Sequence, residues 1–227
     1  MKSRKIYRWL CYLSGMCLLT LGLTLNTKAG LGVAPIISVA YCISQIFHLN
    51  FGNVTLIWYC MFVLSQMMIH LVCKRGKKVL VLDSCQIVVS LIVTRFLNLF
   101  SALIPDYAAD YSRSFMGSIA GRMVMLVLAI ILTGIGAAMS LNMRIVPNTG
   151  DGIVQAIADV WGKSVGFTKN FFDFFCAVLT FAIGIFLGGE VIGLGIGSVF
   201  SMIGVGRVIA VFNYFTMEPM LGKAGLS

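Results

Sequence analysis

Charge is what this sequence has least of. Only 11% of its 227 residues are Asp, Glu, Lys or Arg, eight of them acidic, against 59% hydrophobic residues and a mean hydropathy of +0.97. A water-soluble domain carries roughly 25% charged residues, so that class is excluded and an integral membrane protein is implied. Histidine is almost missing: His48 and His70 stand alone, and with no HExxH or other paired ligand spacing a metal site is unsupported. GxSxG and phosphate-loop patterns are absent as well, so no enzyme chemistry and no cofactor is expected. The seven cysteines are odd in number, lie mostly in apolar runs and include no CxxC pair. They read as small buried apolar residues, not as disulfides or metal ligands.

A net charge of +9 does not point to nucleic acid, because the basic residues form short clusters beside apolar spans and no solvated stripe. Membrane topology explains them better. What the chain does have is one unit used twice. Val146-Pro147-Asn148-Thr149-Gly150-Asp151-Gly152 is a run of helix breakers and polar groups between an apolar helix and a short second helix, and Ala29-Gly30-Leu31-Gly32-Val33-Ala34-Pro35 is placed the same way. A shift of 114 residues lays Pro35 on Thr149, Gly22 on Gly136, Gly52 on Gly166 and Tyr59 on Asp173.

The pattern predicts spans near 9–26, 53–73, 79–104, 118–141, 167–187 and 191–215, with short helices over 34–48 and 152–161 and a tail after 216. Lys2 to Arg8 followed by an apolar run and Thr27-Lys28-Ala29 mimics a signal peptide. The repeat needs this helix as its first member, so it is read as a span. If the short helices do not cross, twelve Lys and Arg (2, 4, 5, 8, 74, 75, 77, 78, 144, 163, 169, 223) fall on one side with both termini, against two (28, 113) on the other. Crossing would change this to eight against six, so six spans fit the positive-inside rule better. Three spans per unit then force the second unit to insert upside down. The expected fold is an all-α polytopic membrane protein, a single membrane domain over 1–227. It holds two inverted-topology repeats, about 7–104 and 118–215, each of three transmembrane helices plus one short broken or re-entrant helix.

Asp151, Gln155 and Asp159 share a face of the second short helix, and the shift lays the last two on Tyr41 and Gln45, with Ser38 beside them. Facing polar stripes would line a cavity. Asn148 or Thr149 is expected to cap the second short helix, with Asp151 in its first turn. An acid already at this helix end argues against a plain anion cradle and favours a proton, a cation or an amine. Arg95 and Arg207 lie near the middle of the third span of each repeat, where an arginine should face the interior and find a partner, either a substrate carboxylate or phosphate or Asp173 or another acid. Arg122, near a span end, is read as structural. Asp173, flanked by four phenylalanines, is expected to be buried and able to exchange a proton, whereas Asp83 is read as interfacial. Gly184, Gly188, Gly189, Gly193 and Gly197, and Gly117 with Gly121, are spaced to put small residues on one helix face for close packing.

The sequence resembles the YczE/YyaS/YitT family of bacterial integral membrane proteins. The likeness rests on Gly22-Leu23-x4-Lys28-Ala29-Gly30-Leu31-Gly32-Val33-Ala34-Pro35, Phe51-Gly52, Asn148-Thr149-Gly150-Asp151-Gly152, Ser164-Val165-Gly166, and Gly195-Ile196-Gly197-Ser198 leading to Ile203-Gly204-Val205-Gly206. It implies a bacterial cytoplasmic (inner) membrane protein and leaves the substrate open. The expected function is a secondary transporter of a small polar or anionic metabolite. Arg95, Arg207, Asn148, Thr149, Asp151, Gln155, Tyr41 and Gln45 would meet substrate and Asp173 would couple protons. The alternative is a membrane scaffold or accessory subunit for a partner enzyme or assembly. The expected partners are the lipid bilayer and a small-molecule substrate, with self-association into a homo-oligomer left open.

Overall fold

The computed structural model describes residues 2–111 and 114–226; Arg113, assigned above to the less basic side, lies outside them. In order the helices are α1 (Lys2–Lys28), α2 (Pro35–Ile46), α3 (Phe51–Val72), α4 (Lys77–Leu103), the single turn α5 (Tyr107–Asp110), α6 (Ile119–Asn142), α7 (Thr149–Trp161), α8 (Val165–Ile183) and α9 (Ile196–Ala224). No strand occurs among the described residues. Six helices, α1, α3, α4, α6, α8 and α9, are long and apolar enough to cross a membrane. With large apolar side chains such as Leu64, Phe174 and Phe186 exposed along them, the chain is a polytopic membrane protein.

Contacts between distant segments sort the helix ends into two groups. At one end Arg8 donates from Nε to the Met143 carbonyl at 2.7 Å and from its terminal nitrogen to the Arg144 carbonyl at 2.6 Å. This is the basic end, because Arg75 also lies there, 3.0 Å from Asp159. At the far end Arg122 donates to the Ala29 carbonyl at 2.7 Å and to that of Gly30, and Lys28 pairs with Asp106 at 3.0 Å. Both arginines thus satisfy carbonyls left open where a long helix ends. The two donors, and each pair of acceptors, are related by the 114-residue shift.

The same shift relates two pairs of left-handed residues, Gly30 (φ 64°) with Arg144 (φ 49°) and His48 (φ 52°) with Gly162 (φ 61°). It also relates two helix caps, Asn50 accepting from Asn53 N and Ser164 accepting from Phe167 N. A charged donor shared by two carbonyls contributes about 1–3 kcal/mol. Arg8→Gln and Arg122→Gln are each expected to lose stability of that size, equally at the two ends, in thermal unfolding of the protein in detergent.

Three boundaries differ from expectation. Helix α7 begins at Thr149, so Gly150 and Gly152 fall inside its first turn. Helix α9 begins at Ile196 and continues through Pro219 to Ala224, where a tail was expected. Burial of Met220, Leu221 and Ala224 explains the extension. The glycines from 184 to 197 do not form one helix face. Gly184–Gly188 is a π-helical turn closing α8, and Gly189 and Gly193, both left-handed, turn the chain before α9. The cysteines are free, but Cys73 and Cys85 are exposed where burial was expected.

Candidate functional site

The two broken segments meet at their tips. Residues 29–34 enter from the far end, and α2 runs back toward it, bringing Ile46 against Gly188. Residues 143–148 enter from the basic end, where Tyr12 donates to the Val146 carbonyl at 2.9 Å, and α7 returns there. Each short helix therefore starts deep in the protein, and the Ile36 side chain lies against Gly150. Asn26 holds the first break in place, accepting from Ala34 N at 2.8 Å and donating to Ser201 Oγ at 2.7 Å. Irregular backbone at this depth survives only where protein groups or a wet cavity satisfy it.

At the junction lies a cavity of about 60 Å³, lined by residues of α1, α2, α3, α6, α7, α8 and α9 and roomy enough for a few water molecules. Its polar lining is Asn148, Asp151, Tyr59, Thr133, Lys169, Asp173 and Ser201. Lys169 Nζ stands 3.4 Å from Asp173 Oδ2, one helical turn away on α8. Asp151 is half-buried, and its carboxylate has no ion-pair partner among the described residues; its place in the first turn of α7 and the Lys169 ammonium on the same cavity offset its charge. Asn148 Oδ1 is buried without a hydrogen-bond partner among the described residues.

A second cavity, about 390 Å³, opens toward the basic end between α3, α4 and α7, and Asp151 lines it as well as the first. At the far end a recess of about 370 Å³ runs along 30–33 and 191–195; it shares no lining residue with the central cavity. Backbone contacts seal that side: Val33 N donates to the Gly193 carbonyl at 2.8 Å and Gly197 N to that of Leu31 at 2.7 Å.

Of the residues singled out in the sequence, Asn148, Asp151 and Asp173 line the central cavity. Asn148 occupies the N-cap position of α7, yet its side chain makes no capping bond, and Thr149 instead shares a 2.6 Å hydrogen bond with Ser90. Gln155 lines the basic-end cavity and donates to Asp159 at 2.7 Å. Tyr41 lines the far-end recess, and Gln45 is exposed near the end of α2. The two polar stripes do not face each other, because the helices touch at their starts and diverge to opposite ends.

Arg95 and Arg207 are both exposed and line none of these cavities. Arg95 donates to Asn53 at 2.6 Å. Asn53 lies in the first turn of α3, so the pairing of α3 with α4 carries this guanidinium to a helix end, as a long side chain allows. Lys169 and Tyr59 were not foreseen as site residues, nor was the group on α3 and α4 at the basic-end cavity. There Asp83, expected at the interface, is buried and takes hydrogen bonds from Gln66 and, at 2.7 Å, His70.

The chain belongs to the Family of unknown function (DUF6198), whose model matches residues 6–214 and so takes in both broken segments and every residue of the central cavity. No curated protein and no solved structure matches it.

Proposed function

We propose that the protein is a secondary transporter of a small polar solute, built as two inverted-topology repeats with its site where α2 and α7 meet. The observation that carries this reading is Asp151, an unpaired carboxylate at a half-helix start that lines both the central cavity and the larger one beside it. Support for the repeats comes from the lining itself. Leu19 with Thr133, Leu23 with Ala137, Ala34 with Asn148 and Tyr59 with Asp173 are pairs under the 114-residue shift, and both members of each touch the cavity. Discontinuous helices meeting at a pseudo-two-fold interface are where such transporters bind.

Two carboxylates against one ammonium suit a solute with a cationic or hydrogen-donating group. The anionic class loses its support once Arg95 and Arg207 lie outside the site. Movement of Lys169 from Asp173 toward Asp151 would free Asp173 to take a proton, which is the coupling step this reading assigns to it. Exchange of access would break the seam at 31–33 and 193–197 and close the basic-end cavity. The likeness to YczE/YyaS/YitT proteins belongs to the same proposal, as does a bacterial cytoplasmic membrane location with both termini cytoplasmic; its motifs supply Ala34, Pro35, Asn148, Asp151 and Val205 to the lining.

A scaffold for a partner enzyme or assembly is the second reading. It is favoured by the size of the central cavity, well below the roughly 300 Å³ of ordinary ligand pockets. Uptake of labelled small amines and amino acids into proteoliposomes separates the two. The transporter reading expects flux of at least one of them, reduced about tenfold or more by Asp151→Asn. Absence of flux from the wild type, together with a stoichiometric copurifying partner, favours the scaffold.

A further inference from the structure

Gln66 and Gln86 are 3% and 0% exposed, yet Gln66 Oε1 and both amide atoms of Gln86 have no hydrogen-bond partner among the described residues. They converge on one point. A Cβ built on Gly152 would come within 2.6 Å of Gln66 Oε1 and 2.8 Å of each Gln86 atom, so both amides pack against the glycine, where no side chain would fit. All three residues line the basic-end cavity of about 390 Å³. Buried polar groups in folded proteins are almost always paired. Three such atoms side by side in a cavity wall offer a ligand both donors and acceptors.

The fold does not demand these side chains. Under the 114-residue shift Gln66 falls on Thr180 and His70 on Gly184; under the 112-residue offset that aligns Arg95 with Arg207, Gln86 falls on Ser198 and Asp83 on Gly195. At the far end those small residues close on one another: Ser38 and Thr180 share a 2.6 Å hydrogen bond, and Gly195 N donates to Ser198 Oγ at 3.3 Å. The basic end carries amides and a cavity at the matching positions.

We propose that Gln66, Gln86 and Gly152 form a binding site for a neutral carboxamide or urea group, reached from the basic end. Two acceptor oxygens and one amino group are on offer, and a ligand carrying N–H donors beside a carbonyl oxygen matches both atoms of Gln86. Asp83 offers no charge to a ligand, because Gln66 occupies one of its oxygens and His70 the other; the unpaired acid of this cavity is Asp151. An anion would also meet Asp151 and Asp159, which line the same cavity. The site stands whether or not anything is carried across the membrane.

The test is thermal unfolding of the full chain in detergent with nicotinamide, its carboxylate counterpart nicotinate, and methylammonium. Nicotinamide should raise Tm with dose and nicotinate should not; any response to methylammonium belongs to Asp151 and should vanish in Asp151→Asn while the nicotinamide response persists. Gln86→Leu and Gly152→Ala should each weaken nicotinamide binding about tenfold or more. Gln86→Leu removes unpaired atoms, so its Tm without ligand should hold or rise; Gly152→Ala gains helix propensity but forces both buried amides to shift, so Gln86→Leu is the variant that separates binding from folding. The proposal is overturned by a flat response to nicotinamide, by equal responses to all three probes, or by a Gln86→Leu protein that is less stable without ligand yet binds nicotinamide unchanged.

Discussion

Lys169→Met should destabilise the protein by about 3 kcal/mol, near the lower end of what breaking a buried ion pair costs. The lysine side chain is 26% exposed and that of Asp173 only 4%, so the loss falls mainly on the acid, left without its cation beside the half-buried Asp151. Desolvation of a lone carboxylate in an apolar bundle is the source of the penalty. Lys169→Met combined with Asp173→Leu should recover most of the loss, because a buried pair replaced by apolar groups of similar size is close to neutral. Thermal or denaturant unfolding in detergent reads both variants. Additive losses in the double variant would mean that the two side chains do not act as a unit.

Gly32→Ala should cost about as much for a different reason. Gly32 has φ 111°, where an alanine is strained by roughly 1–3 kcal/mol. Its added methyl would also stand 2.6 Å from Gly195 N and 2.9 Å from Gly195 Cα. Those are backbone atoms, so relief requires the loop before α9 to move away, breaking the bonds that join 31–33 to 193–197. Gly206→Ala is the control, since nothing lies within 4 Å of a Cβ there and α9 gains helix propensity. Unfolding temperatures should fall steeply for the first variant and hold or rise for the second. If Gly32→Ala is silent, the far-end seam is not a rigid closure.

Both variants probe parts of the molecule that differ in how far the sequence disclosed them. The six long helices and the two breaks were legible, because apolar runs near bilayer length and Gly/Pro interruptions are local signals. Asp173 stood out as an acid flanked by phenylalanines, and Asp151 as an acid in the first turn of a short helix. Lys169 did not, because proximity to a span end made it look like a topology cation; its i,i+4 spacing to Asp173 was the signal available. Gln66 with His70, and Asp83 with Gln86, were also spaced to share helix faces. They lie on two spans, however, and only the pairing of α3 with α4 brings them together. Arg95 misled because position along a helix does not fix depth when a long side chain reaches Asn53 at the start of its neighbour. Facing stripes on α2 and α7 failed for a geometric reason, since half-helices that touch at their starts point their later turns apart.

Accessibility of the junction from each side of the membrane tests the central claim most directly. With the natural cysteines replaced and Asn148→Cys introduced, a membrane-impermeant thiol reagent is applied to proteoliposomes from one face at a time. Asn148 lines the cavity where the tips of α2 and α7 meet, and a transporter must expose that cavity to both faces in turn. The account predicts labelling from the basic end at once and from the far end more slowly, as the glycine seam opens. Labelling from neither face, or from the far end alone, would contradict it.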